Sequence, residues 1–460
     1  MRNVDWMVPI EFMVGSLDHG EVQACSICRI PDELRESKRD AYVPKLVSMG
    51  PFHRGATRQL VLMEEPKWRY LKDFLQRQGS AEEGVETASL LGERLRRCGS
   101  DILNLDTVIS ACYGGDLELG AHELSKIMMV DGCFLLELLL RLDDYLSLPP
   151  KERDMKYSED PFFATEKKVV SVLNDITMME NQIPFVVLKK LYRKVYRDGS
   201  EMKDDNRVAN LLLRCTYTSL DAFVNRGTGP SNSKGSKTSM QRAKRCATRL
   251  LAAGISISPA ARSHSNTGNG NKLVDMFDII FNREDIVLEI PPLHIKETSQ
   301  VRWRNLIGWE QSRIWIRCKY TSYALFFGGL ICCKHDIEWL QKKGVIINES
   351  KMSKEELLRM FQTISKGAEH MDPSYSELCV SLNEHRAKRV TQMFNGFSII
   401  SWHQCRRMFE IIMFYWSNWY GVLIRDHIPT VWKFMGVVAA VVLLVLTIMQ
   451  TYYAAHSNGR

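Results

Sequence analysis

The chain has 460 residues, of which 45% are hydrophobic and 25% charged, and a formal net charge of +7. That is ordinary globular composition, which excludes a disordered or fibrous chain and leaves room for one large or two medium domains with real cores. Its 12 cysteines are scattered over the whole length, which excludes a small disulfide scaffold.

The first residues, MRNVDWMVPIEFMVG, carry Asp5 and Glu11 inside any apolar run, so no secretory signal is expected. Residues 1–29 read as a loose lead-in. From Pro31 to about Arg77 the pattern is helical. Leu60, Met63, Trp68, Leu71 and Leu75 fall at helical spacing on either side of Pro66. Residues 80–113 give a second helical pattern that ends near Gly114-Gly115. The stretch ELSKIMMVDGCFLLELLLRLDDYL (123–146) is the most hydrophobic of the interior. Asp131, Glu137 and Arg141 make it too polar to span a bilayer. It predicts a buried core helix, broken or kinked at Asp131-Gly132 and closed by Pro149-Pro150. A further helix is expected over 165–179. In NQIPFVVLKKLYRKVY, Pro184 suits a first helical turn, Asn181 or Gln182 is placed to cap it, and Ile183, Val187, Leu191 and Val195 follow on one face. Residues 207–225 form another apolar-periodic helix.

Charge is uneven. Between Ala222 and Val274 there is no acid, while Arg226, Lys234, Lys237, Arg242, Lys244, Arg245, Arg249, Arg262 and Lys272 lie in it. The core of this stretch, GTGPSNSKGSKTS, is a Gly/Ser/Lys linker. It can be read as a phosphate-contacting arm, as a segment attracted to an anionic leaflet, or as a solvated insertion. Phe223 is the sole aromatic there, so nucleic-acid binding is not expected. Beyond the linker the period changes. GISIS (254–258) alternates, and DMFDIIF and IVLEIPP read as two strands around a short polar turn, ended by Pro291. Helices then return, with Ser353 and Glu356 as a capping box and Gly367 as a stop. The expected fold is therefore mainly α, of the α+β class, with a small antiparallel element near 254–291.

The C-terminal part adds an aromatic run (Phe414, Tyr415, Trp416, Trp419, Tyr420) and then an uncharged stretch from Phe434 to Ala455. Its 22 residues span about 33 Å as a helix, against about 30 Å of hydrocarbon. Trp432 and Lys433 on one side and Tyr452 and Tyr453 on the other are placed as interfacial anchors. One transmembrane helix is expected there, followed by a tail over 456–460. Arg425, His427 and Lys433 on the near side put the body in the cytoplasm. The domain plan is thus a lead-in (1–29), a helical part (30–225), a basic linker (226–249), a second part with the sheet (250–433), the span and the tail.

No known catalytic signature is present: GxSxG, HExxH, a Walker loop and GxGxxG are all absent. His53 stands near Glu64 and Glu65 in a Gly/Pro-bracketed segment and reads as a turn residue rather than a base. Asp175, Glu180 and Asn181 could work as paired acids, but capping and buried hydrogen bonds account for them better. Cys25-x-x-Cys28 and Cys332-Cys333, two residues before His335, lack the further ligands of a zinc site, so neither metal nor cofactor is expected.

Several strings together resemble one plant family, catalogued as domain of unknown function 247. They are IPDELRESKRDAYVPKLVSMGPFHRG (30–55), LMEEPKWRYLKDFL (62–75), VDGCFLLELLLR (130–141), MENQIPFVVLKKLY (179–192), LLAAGI (250–255), LEIPPLHI (288–295), RNLIGWEQ (304–311) and LTIMQTYYA (446–454). The motif residues so marked are Pro31, Tyr42, Pro44, Gly50, Pro51, His53, Asp131, Glu180, Asn181, Gln182, Pro184, Pro291, Pro292, Asn305 and Glu310. The resemblance implies a plant protein, mainly helical, ending in one membrane helix and without an established enzymatic activity. Some grass members resemble pollen-side determinants of self-incompatibility, which implies recognition of a partner protein. Met178-Met179 stands where the family has Leu-Leu, and Ser417-Asn418-Trp419 lacks the family's Pro. The expectation is a membrane-anchored recognition or scaffolding protein that is not an enzyme. The alternatives are an uncharacterised enzyme and a nucleic-acid binder using the linker.

Overall fold

In a computed structural model the protein is described over residues 25–77, 87–115, 117–196, 207–212, 242–260, 276–312, 317–368, 371–385 and 447. The chain divides into two compact units, one of Met1–Thr248 with Ile257–Glu384 and the other of Arg249–Ser256 with His385–Arg460. In the second unit the described residues finish a helical turn, and Gly254 at φ +83° lets the Ile255 N–H reach back to the Leu250 carbonyl at 2.9 Å.

In the first unit, α1 is Asp32–Ser37, α2 Arg58–Leu62, α3 Glu64–Gln76, α4 Thr87–Leu103, α5 Asp106–Cys112 and α6 Ala121–Ser147. Helix α6 has 27 residues and is apolar on almost every face, with Val130, Cys133, Phe134, Leu135, Leu136, Leu138 and Leu139 all buried. A helix of that kind belongs at the centre. Helices α7 (Pro150–Tyr157), α8 (Glu166–Ile176) and α9 (Phe185–Val195) follow, and α3, α4 and α9 all pack on α6. Each large apolar side chain so removed from water contributes roughly 1.5–3 kcal/mol.

Three local expectations are corrected. Helix α6 runs unbroken through Asp131-Gly132. A Cβ at Gly132 would lie 2.6 Å from Leu191 Cδ1 and 3.2 Å from Val187 Cγ1, so the glycine lets α9 approach rather than kinking α6. Pro66 lies in the first turn of α3, where its missing N–H costs nothing, and the buried stripe is Lys67, Tyr70, Leu71, Phe74 and Leu75. Trp68, one position off that stripe, is 44% exposed. Helix α9 starts after Pro184 with no side-chain cap, because Asn181 and Gln182 are bonded elsewhere.

The later part contributes α10 (Ala247–Ala252), α11 (Ser299–Gln311), α12 (Lys319–Leu330), α13 (Lys334–Lys342), α14 (Lys354–Thr363) and α15 (Pro373–Glu384). Trp303, Tyr323, Phe327 and Phe361 pack ring on ring between α11, α12 and α14. The capping box stands: Ser353 N–H donates to Glu356 Oε2 at 2.7 Å, and Glu356 N–H donates to Ser353 Oγ at 3.2 Å.

Strands β1 (Ser256–Pro259), β2 (Ile280–Asn282) and β3 (Val287–Ile290) form a sheet of order β1-β3-β2. The expected hairpin is antiparallel, with Phe281 opposite Leu288. The β structure is not all antiparallel, however. Strand β4 (Leu293–Ile295) pairs in parallel with β5 (Ile346–Asn348), Leu293 opposite Ile346. The intervening α11, α12 and α13 supply the long crossover a parallel pair requires, and three-residue strands leave almost no periodicity to read.

Among the described residues no helix is long and apolar enough to cross a membrane. The fold is accordingly mostly helical with small sheets, and the transmembrane helix and the single-pass membrane protein built on it are withdrawn. Of Phe434–Ala455 only Thr447 is described. The remainder of that stretch, the aromatic run before it, and residues 213–241 and 261–275 of the basic region lie outside the described residues.

Candidate functional site

The segment from Tyr42 to His53 contains Pro44, Gly50 and Pro51 and forms no regular element. Its backbone groups, largely buried, need partners from elsewhere. Asp175, at the end of α8, accepts the N–H groups of Lys45 at 3.0 Å, Leu46 at 2.6 Å and Val47 at 2.9 Å. Burial pushes its carboxyl up, against the pull of those amides. Asn181 accepts the Met49 N–H at 2.6 Å and donates to the carbonyls of Val47 and Asp175, both at 2.9 Å. Asp131 Oδ2 accepts the Gly50 N–H at 3.0 Å. Gly50 has φ +68°, and a Cβ there would meet the Gln182 carbonyl at 2.7 Å and the Tyr113 hydroxyl at 2.8 Å. Gln182 Nε2 donates to the Ile176 and Met178 carbonyls.

Beneath the segment lies a cation that sequence reading missed. Lys67 is fully buried on α3 and donates to the Ser48 carbonyl, to Glu64 and to Asp131 Oδ1, the last at 2.8 Å. Arg54 pairs with Glu64 at 2.7 Å. In the string EEPKW nothing marks that lysine except its place on the buried stripe of α3.

The fastened segment delivers His53 to a cleft of about 670 Å³, lined also by Arg29, Pro31, Asp32, Arg35, Arg39, Phe52 and Glu180. His53 Nε2 lies 3.0 Å from Glu180 Oε2. Glu180 Oε1 accepts the Ile30 N–H at 2.6 Å and a bond from Arg35. Burial alone would raise the Glu180 carboxyl, but His53, the Ile30 amide and Arg35 together hold it below the usual carboxylate range. The Arg29 guanidinium sits 4.4 Å from the Phe52 ring centroid, and Arg29 and Arg39 are exposed at the rim. The balance is three arginines against two carboxylates, one of them already matched by Arg35. Among the described residues, then, His53 and Glu180 converge on a cleft while Asp131, Asp175, Asn181 and Gln182 hold its wall.

Of the remaining motif residues, Asn305 braces this arrangement from α11. Asn305 accepts the Met179 N–H at 2.9 Å and donates to the Ala41 carbonyl at 2.8 Å. Glu310 accepts the Tyr320 N–H at 2.9 Å and the Thr321 N–H and Oγ1, both at 2.8 Å, at the start of α12. Burial pushes its carboxyl up to about 7 despite those donors. Tyr42 is buried, which raises its phenol, beside Arg304. Pro44 is buried and Pro51 half-buried. Pro291 and Pro292 end β3, the first buried and the second exposed. Cys28 Sγ donates to the Cys25 carbonyl at 2.8 Å, and each described cysteine is a free thiol.

This chain belongs to the plant protein family of unknown function catalogued as domain of unknown function 247, whose model matches residues 27–446. It is 24% identical over 469 residues to UPF0481 protein At3g47200 of Arabidopsis thaliana, covering 95% of this chain and 88% of that relative. It is also 27% identical over 190 residues to putative UPF0481 protein At3g02645 of the same plant, covering 41% of this chain and 31% of the relative. No solved structure matches it.

Proposed function

We propose that this chain is a protein-recognition module whose cationic cleft takes an acidic segment of a partner protein. The observation that carries this reading is the charge of the cleft: with Arg35 matched to Glu180, the guanidinium groups of Arg29 and Arg39 remain against the single carboxylate of Asp32. A bound chain with spaced carboxylates gains charge-assisted hydrogen bonds from guanidinium groups whose planar forks match them. Phe52 beside Arg29 offers an apolar surface for the stem of such a segment.

Binding supports the cleft better than catalysis does. A general base is most effective with a pKa near the working pH. Glu180 is instead held low, with Oε1 fastened by the Ile30 N–H and Arg35, which suits a fixed element of the wall.

The test uses the full chain and a fluorescent Asp/Glu-rich decapeptide, with a Lys-rich decapeptide as control. The acidic peptide alone is expected to bind, more weakly as salt rises, because rim charges are screened over about 8 Å at physiological ionic strength. Arg29→Ala combined with Arg39→Ala is expected to weaken it at least about tenfold without changing the melting temperature, as both side chains are exposed. Equal binding of the two peptides, or of the two proteins, refutes the reading.

A further inference from the structure

The cysteines that the sequence leaves isolated do not stay so. Cys246, just before α10, is buried, and Cys332, in the turn between α12 and α13, is exposed. In the fold their sulfur atoms and a carboxylate oxygen of Asp336 all lie within 4.8 Å of one another. We propose that Cys246, Cys332 and Asp336 form a binding site for a thiophilic divalent cation, with zinc(II) the ion whose chemistry fits best.

Geometry supports the assignment. Tetrahedral zinc with Zn–S about 2.3 Å and Zn–O about 2.0–2.2 Å places its ligand atoms roughly 3.5–3.8 Å apart. The donors are therefore within a small side-chain rotation of that arrangement. Asp336 is already aimed: Oδ1 accepts the Thr248 N–H at 2.9 Å, and Oδ2 accepts the N–H groups of Cys332 at 2.9 Å and Cys333 at 3.1 Å. Such outer bonds fix the direction of a ligating carboxylate. Cys333 Sγ donates to the same Asp336 Oδ2 at 3.4 Å. Two sulfurs with one oxygen select zinc over calcium or magnesium, which take oxygen ligands. The exposure of Cys332 gives the ion a route in. Once bound, it ties the segment before α10 to the turn before α13, which makes the site a structural clamp.

The test uses the full chain, reduced and metal-free, under anaerobic conditions. Zinc is titrated against a chromophoric chelator, and cobalt(II) serves as a spectroscopic probe through thiolate-to-cobalt absorption. The expected result is one equivalent of zinc, protection of Cys246 and Cys332 from alkylation, and a higher melting temperature. Cys246→Ser and Cys332→Ser are each expected to lower affinity at least about tenfold and to abolish the thermal shift. Cys332 is exposed, so its replacement leaves the fold intact and the comparison clean if Cys246→Ser fails to fold. Zinc binding unchanged in Cys332→Ser, no zinc binding at all, or a Cys246–Cys332 disulfide formed in air that zinc does not prevent would each overturn the proposal.

Discussion

Lys67 and Asp131 meet at 2.8 Å with neither side chain more than marginally exposed. They come from helices α3 and α6, and each holds part of the segment above them, Lys67 through the Ser48 carbonyl and Asp131 through the Gly50 N–H. The pair therefore couples helix packing to the wall of the cleft.

Removing one partner strands the other. Lys67→Met is expected to cost about 3–5 kcal/mol, because it leaves the Asp131 carboxylate buried without its cation. Asp131→Asn keeps the shape and an acceptor and is expected to cost less. Urea unfolding of both variants decides this, and a smaller loss for Lys67→Met than for Asp131→Asn would contradict it.

Gly132→Ala runs against helix propensity. In an exposed helix the change stabilises by about 1 kcal/mol. Here the new methyl would meet Leu191 Cδ1 at 2.6 Å, and α6 and α9 would have to separate. A loss of about 1–3 kcal/mol is expected. Thermal melting checks the sign, and a stabilised variant would mean that α9 yields freely.

Asp175→Ala removes the acceptor of three backbone N–H groups at Lys45, Leu46 and Val47. A loss of about 1–3 kcal/mol is expected, the cost of stranding a buried donor, since of the three residues Val47 is buried, Leu46 half-buried and Lys45 exposed. Limited proteolysis should cut first between Tyr42 and His53. Unchanged cleavage there would show that Asn181 and Asp131 hold the segment without it.

Glu310 gives a pH dependence with a defined sign. Its carboxyl stands at about 7 in the fold against an ordinary 4.5. Between those values the folded chain keeps a proton that the unfolded chain has released. Its stabilising contribution is present below about pH 4.5 and is lost as pH rises through about 7, by at most about 3 kcal/mol. Glu310→Gln cannot accept all three donors and should be less stable throughout. The difference between wild type and variant should shrink as pH rises from 5 to 8 (about 3 kcal/mol at most). A constant difference in unfolding free energy across that range would exclude the raised value.

Much of the architecture was legible because it rests on local chemistry. The run from Val130 to Leu142 could only be a core helix, Ser353 and Glu356 capped their helix from three residues apart, and two strands around a short polar turn were readable, though the register that sets Phe281 opposite Leu288 was not. These signals lie within one helical turn or one hairpin. The strings that marked the family were visible too, but not their purpose. Asp175 and Asn181 read as capping groups from spacing alone; in the fold they bond to amides and carbonyls of a segment well over a hundred positions earlier.

What only the tertiary structure decided is which distant groups share a place. Lys67 sits against Asp131, His53 against Glu180, Asn305 between Met179 and Ala41, and Cys246 beside Cys332. Sequence spacing carries no information about such pairs, because each depends on how α3, α6 and α11 and the loops between them pack. The same holds for strands β4 and β5, whose three residues each are too few for periodicity and pair only because the intervening helices bring them together. An apolar run shows its length in the sequence, which is why Phe434–Ala455 suggested a span. Whether such a run becomes a continuous helix is a property of the folded chain, and among the described residues no helix of that kind is found.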